Sequence, residues 1–268
     1  MPRFRTLELS DPTYERDHLR LVTIKSPALK ARGDITLFVP PNLGAAKNIP
    51  VAILLHGVFG SHWAWALKGG AHKTALALIE SRTIRPMVLA MPSDGLWGDG
   101  SGYIKHAADY EAWIMSDVVD AAREVVPQTV GGKVFLSGLS MGGFGAMRLG
   151  ARHANKVAAI SAHSSSTHLD QLEKFIEEPL SAYGNLGDAD KSVAHAILAA
   201  GKSLPPLRFD CGVDDILIEH NRALHQALLD KKIPHDYHEF SGGHTWDYWR
   251  DHLTDTLRFF EKHSEARP

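Results

Sequence analysis

Residues 134–148, Val-Phe-Leu-Ser-Gly-Leu-Ser-Met-Gly-Gly-Phe-Gly-Ala-Met-Arg, constrain the fold more than any other stretch of the chain. The apolar run Val134–Leu136 predicts a buried strand, and the Ala/Met/Leu/Arg stretch from about Met141 predicts a helix. Between them lies Gly138-Leu-Ser-Met-Gly142. A strand that turns into a helix this abruptly needs glycines, because side chains at 138 and 142 would meet the neighbouring strand and helix. The turn lifts the Ser140 hydroxyl clear of the sheet. The helix start behind it offers unpaired N–H groups to any negative charge that develops there. A serine lifted clear of the sheet on a strained turn is a candidate nucleophile.

The flanking sequence repeats the theme. Residues 18–26 and Gly33–Val39 alternate apolar and polar, as half-exposed strands do, and predict an antiparallel hairpin at a sheet edge. Val51–Leu55 is an apolar run expected of a strand covered on both faces. A helix over 71–82, a strand over 87–91 and a long helix over 108–126, stopped by Pro127, follow. Val157–Ile160 reads as a strand, 207–211 as a strand, 216–231 as a helix, 235–240 as a strand and 246–263 as the last helix. This alternation argues an α/β fold: a mainly parallel sheet with an antiparallel N-terminal edge and helices on both faces. Residues 163–204 interrupt the rhythm with a polar start and two short helical stretches, 168–178 and 190–200. They are expected to form a lid-like insertion over the carboxyl edge of the sheet, where open α/β sheets bind ligands. With neither repeats nor linker-like tracts, residues 1–268 are expected to form one domain.

Composition excludes several functions. A net charge of -2 gives no electrostatic footprint for nucleic acid or an acidic membrane. The single cysteine, Cys211, forbids an internal disulfide framework. No run approaches the roughly 18 apolar residues of a membrane span, and the N-terminus lacks the apolar core of a signal peptide, so a cytoplasmic location is expected. The 16 histidines show no His-Glu-x-x-His or other tight ligand spacing, so no metal is expected. Asp94–Asp99 does not fit a calcium loop and reads as a turn.

A serine hydroxyl becomes a nucleophile only when a base takes its proton and an acid orients that base. In sheets of this kind the three follow the chain order Ser, Asp/Glu, His, each in a loop after a strand. The last strand-to-helix loop supplies His244, preceded by two glycines. The loop after 207–211 supplies Asp215 or its neighbour Asp214, one of which would cap the next helix. An acyl-transfer site also needs oxyanion donors. The N–H of Met141, directly after the serine, is one candidate. The N–H of Val58, in His56-Gly-Val-Phe-Gly60, is the other, because Gly57 lets the backbone approach a substrate; a plain glycine-rich turn is the alternative. Tryptophans gather near these loops. Trp63, Trp97 and Trp246 are the expected substrate-pocket residues, with Trp65 and Trp249 nearby, although aromatics also build cores.

Four motifs, His56-Gly-Val-Phe-Gly60, Gly138–Gly145, Gly212-Val-Asp-Asp-Ile-Leu217 and Gly242-Gly-His-Thr-Trp246, resemble in type and order those of the esterase D-like (Putative esterase) family of α/β-hydrolases, over roughly residues 18–262. The resemblance implies the α/β-hydrolase fold and a triad of Ser140, Asp215 and His244. It also implies oxyanion donors at Val58 and Met141, and no cofactor. The chain departs from the S-formylglutathione hydrolases of that family, which carry a cysteine in the oxyanion segment and a different elbow, and is closer to the bacterial tributyrin/acetyl esterase branch. Short-chain carboxylic esters are therefore the expected substrates, with a small-molecule ester as partner and a homodimer left open. Carbohydrate acetyl or feruloyl esters, an S-formylglutathione hydrolase-like thioester, acyl transfer and a non-catalytic binding module are the alternatives.

Overall fold

In the computed structural model, which describes residues 3–264, nine strands form one sheet in the order β1-β2-β3-β5-β4-β6-β7-β8-β9. β4 (Val51–Leu55), β6 (Val134–Leu139) and β7 (Ala159–His163) lie at its centre, and every one of their residues is buried. That follows from sequence: continuous apolar runs cannot tolerate a solvated face. Alternate residues of β4 feed opposite layers. Val51, Ile53 and Leu55 join a core with Trp113, Phe144 and Met147. Ala52 and Leu54 join a second core with Trp65, Leu253 and Phe260. Each fully buried Leu, Ile or Phe contributes roughly 1.5–3 kcal/mol. The sheet is thus held from both sides.

β4 pairs in parallel with β5 (Val88–Pro92) and β6, and parallel pairing continues through β7, β8 (Leu207–Gly212) and β9 (Asp236–Phe240). β2 (Leu19–Lys25) and β3 (Arg32–Phe38) form the expected antiparallel hairpin, and β3 pairs antiparallel with β5. An additional three-residue strand, β1 (Leu7–Leu9), lies outside β2, so the hairpin is not itself the sheet's edge.

α1 (Ala64–Leu67), α2 (Ala71–Glu80) and α9 (Trp246–Lys262) cover one face; α5 (Met141–Arg152) lies on the other. The single helix expected over 108–126 is broken. α3 (Tyr110–Ala112), capped by the Asp109 carboxylate, runs into a π-helical turn (Trp113–Val118) before α4 (Val119–Val125). Around that turn the Trp113 indole donates to the Ser93 carbonyl (2.7 Å), and the buried Asp117 accepts from Ser26 (2.6 Å).

Residues 164–206 connect β7 to β8. Their first part contains 3₁₀ turns at Leu169–Lys174 and Leu180–Tyr183. They then form α6 (Asp188–Lys191) and α7 (Val193–Ala200), whose Val193, Ala196 and Ile197 are buried against the α5 layer. α8 (Ile218–Asp230) follows β8. No helix among the described residues is long and apolar enough to cross a membrane.

Candidate active site

Ser140 stands between β6 and α5 with φ 54° and ψ −121°, a conformation disfavoured for a residue with a side chain. The surroundings enforce it. A methyl group on Gly138 would run into the Gly142 carbonyl, and one on Gly142 into the carbonyls of Leu55 and His56. The strand and helix therefore pack at a distance only glycines permit. Ser140 is 2% exposed and faces a cavity.

His244 leaves the end of β9, and its Nε2 lies 3.0 Å from Ser140 Oγ. Its Nδ1 lies 3.0 Å from both carboxylate oxygens of Asp215. Asp215 is buried at 3% exposure, while Asp214 is exposed. The structure thus brings together Ser140, His244 and Asp215 and leaves Asp214 out. The Asp215 Oδ1 also accepts the N–H of Leu217 (2.8 Å), which fixes the carboxylate plane toward the imidazole. This chain of groups can move a proton from the hydroxyl to Nε2 while the carboxylate stabilises the imidazolium.

The loop expected to supply an oxyanion donor follows β4. Gly57 abuts Ser140: a Cβ placed there would stand 3.2 Å from the Ser140 Cβ. Val58 lines the same cavity. Met141 opens α5, where the first N–H groups of a helix lack intrahelical partners. His56 is buried, and burial pushes its pKa down, so the ring is neutral. Its Nε2 accepts the N–H of Asp94 (3.1 Å), so the proton sits on Nδ1, which donates to the Gly57 carbonyl (2.6 Å).

The cavity at Ser140 holds about 280 Å³ and is mostly apolar. Trp63 and Trp246 line it, with Phe59, Leu139, Phe175 and Trp249. Trp97 does not. It packs edge-on against His106 (4.5 Å between ring centres) and Tyr183 (5.0 Å), and its side chain belongs to the junction between two loops. Trp65 is core, 1% exposed, with its indole N–H given to the Leu55 carbonyl (2.9 Å). Phe175, from the β7–β8 connection, carries no sequence signal: it is a single aromatic in an aperiodic stretch. It stacks face to face on the His244 ring (5.4 Å, 16°), while Trp249 meets that ring edge-on (5.0 Å, 90°). The His244 ring is held between two aromatics. A larger cleft of about 720 Å³, lined by Lys202, Pro206, Lys231 and Lys232 among others, opens at the amino ends of β8 and β9. It contains no nucleophile–base pair, so chemistry rather than size selects the smaller cavity. No group of three or more His, Cys, Asp or Glu among the described residues could hold a metal ion.

Residues 26–260 match the profile of the family described as Putative esterase. The chain is 27% identical over 241 residues to an acetyl esterase of Caldicellulosiruptor saccharolyticus, covering 82% of this chain and 86% of that one. Among solved structures it resembles a ferulic acid esterase (TM-score 0.78, 23% identity, 96% of this chain and 99% of the other). It also resembles an S-formylglutathione hydrolase of Staphylococcus aureus (TM-score 0.74, 17% identity, 94% and 98%).

Proposed function

Because the chain belongs to the Putative esterase family and is an enzyme that hydrolyses ester bonds, we propose that it cleaves short-chain carboxylic esters through an acyl-enzyme formed on Ser140. The observation that carries this reading is the run of 3.0 Å contacts from Asp215 through His244 to Ser140, opening on a small apolar cavity. His244 Nε2 takes the Ser140 proton as Oγ attacks the carbonyl carbon. The tetrahedral oxyanion is held by the N–H groups of Val58 and Met141. Collapse expels the alcohol, which receives the proton from His244. Water, deprotonated by the same nitrogen, then attacks the acyl carbon; the bond to Ser140 Oγ breaks, Oγ takes the proton back from His244, and the acid is released. Asp215 keeps the imidazole oriented throughout.

A cavity of about 280 Å³ lies at the small end of ligand pockets, which supports short acyl groups. The acetyl esterase relative supports the same size class. The aromatic walls at Trp63, Trp246 and Phe175 favour a second reading, a flat aromatic acyl group. Hydrolysis of 4-nitrophenyl esters from acetate to decanoate, with 4-nitrophenyl cinnamate alongside, separates the two. Short-chain activity that peaks at two to four carbons and falls by about 10⁴ or more in Ser140→Ala is expected. Equal rates in wild type and Ser140→Ala would remove the serine from the mechanism.

A further inference from the structure

The walls of the Ser140 cavity carry one lysine and no carboxylate. Lys68, at the C-terminal end of α1, sits with its Nζ 5.4 Å from the centre of the Trp246 ring. Among the described residues no carboxylate pairs with it, whereas Arg250, on the helix after His244, reaches both Asp247 and Asp251. Its neighbours at the rim are instead apolar and open to solvent. Phe59 is 67% exposed, Trp63 41% and Leu67 69%. An exposed apolar rim beside a catalytic cavity marks a ligand surface. A lone ammonium within it adds a requirement that greasy contacts alone do not. A four-residue helix has too small a dipole to need a cation at its end, so capping does not explain the lysine.

We propose that Lys68 forms an anion subsite at the mouth of the Ser140 cavity, and that the preferred esters carry a carboxylate on one half of the molecule. This rests on the esterase reading of Ser140. The cavity that Ser140 and Lys68 both line is about 7 Å across if roughly isometric, so a carboxylate four to six bonds from the scissile carbonyl has the reach to run from one wall toward the other. Trp246 attracts the ammonium through its ring face, which favours a position of the exposed lysine beside the cavity mouth.

Two substrate pairs test the subsite. 4-Nitrophenyl hydrogen glutarate against its methyl ester places the charge on the acyl half. 4-Acetoxybenzoate against its methyl ester places it on the alcohol half. The quantity read is kcat/KM for the anionic ester divided by that for the neutral one, after subtraction of the Ser140→Ala background. In one pair this ratio is expected to fall about fivefold in Lys68→Met, to fall further in Lys68→Glu and to be kept in Lys68→Arg. Added salt should lower it in the wild type and leave it unchanged in Lys68→Met.

Calorimetric binding of glutarate and 4-hydroxybenzoate to Ser140→Ala, with and without Lys68→Met, gives a second readout that needs no turnover. One of the two acids is expected to bind about fivefold more weakly without the lysine. Ratios and affinities that ignore Lys68 in both pairs overturn the subsite, and continued hydrolysis of the neutral esters would then leave the esterase reading standing. Absence of all hydrolysis, with lysine-dependent acid binding retained, would instead remove the short-chain ester reading and keep the subsite.

Discussion

His56 is expected to control catalysis without touching the substrate. Its neutral ring spans two segments, accepting from Asp94 N–H through Nε2 and donating from Nδ1 to the Gly57 carbonyl. The Gly57–Val58 peptide is planar and trans, so its C=O and N–H point in opposite directions. Anchoring the carbonyl on His56 therefore turns the Val58 N–H away from the ring, and the proposed mechanism needs that N–H on the side of the cavity that Val58 lines. His56→Leu keeps the bulk but removes both hydrogen bonds. Losing an oxyanion donor outright costs about 10²–10³ in kcat, or roughly 3–4 kcal/mol. A peptide that is released rather than deleted still visits the productive orientation, so a loss of about 30- to 100-fold is expected, with KM changed less than about threefold. The buried Asp94 N–H is left unpaired at about 1–3 kcal/mol, while the Gly57 carbonyl keeps the Gly60 N–H (3.2 Å), so Tm must be measured alongside and the kinetics run well below it. The assay is steady-state hydrolysis of 4-nitrophenyl acetate. A variant that melts earlier yet keeps the wild-type kcat would show that His56 only packs the loop, and the orientation argument would fail. A rise in KM at constant kcat would refute it equally, since ground-state binding would then be what was lost.

Two further outcomes follow from the same geometry. Asp215→Asn is expected to lower kcat by about 10⁴, because the amide no longer selects the imidazole tautomer, whereas exposed Asp214→Asn should stay within about twofold; parallel steady-state kinetics on both variants decides. Burial raises the Glu111 pKa, but hydrogen bonding to His153 and the charges of Arg148 and Arg152 outweigh it and hold the carboxyl at about 2. With a folded pKa below the unfolded one, its contribution of about 2 kcal/mol, after allowance for solvent screening, is present above about pH 4.5 and lost as pH falls toward 2. Urea unfolding between pH 5 and 3 should show that slope in the wild type and a flatter one in Glu111→Gln, at lower overall stability because Arg148, fully buried, loses the nearer of its two carboxylates (Glu111 at 3.1 Å, Asp190 at 3.4 Å).

The sheet was legible because its signals are local. Apolar runs at 51–55 and 134–136, glycine pairs at the elbow and the proline at 127 each act within a few residues of themselves. β1 was not, since three residues carry too little pattern to distinguish a strand from an extended tail. The π turn was not, because one extra residue in a helical turn leaves the surrounding periodicity nearly intact; only tertiary demands at Ser93 and Ser26 explain it. The serine and histidine were readable from glycine chemistry around them. Adjacent aspartates were not separable by residue type, because which carboxylate is buried depends on how the loop after β8 closes: the Asp215 N–H returns to the Gly212 carbonyl (3.1 Å), and that of Asp214 to the Gly242 carbonyl (3.0 Å).

The pocket was read least well, and Trp97 shows why. Proximity in sequence to a sheet's carboxyl edge places a residue near the site without saying which way it faces. Its loop, expected to be a turn, is one: the Asp94 carboxylate closes it by accepting the N–H groups of Leu96 (2.9 Å) and Ser101 (2.6 Å). That turn then reaches outward in two directions. Toward the oxyanion loop, Asp94 N–H meets His56 and the Asp99 carbonyl accepts the Phe59 N–H (2.9 Å). Toward the β7–β8 connection, the Asp99 carboxylate accepts the Glu177 N–H (2.7 Å), Asp99 N–H donates to Glu178 (3.1 Å), and the Tyr183 hydroxyl bonds the Gly100 carbonyl. Trp97 fills the angle between these arms against Tyr183 and His106. The segment it secures is the one that carries Phe175 onto the His244 ring. An indole beside the candidate site therefore supports the loop 56–60 and the aromatic cover of His244 through one shared turn, a role that arises only when loops from separate strand ends meet in space.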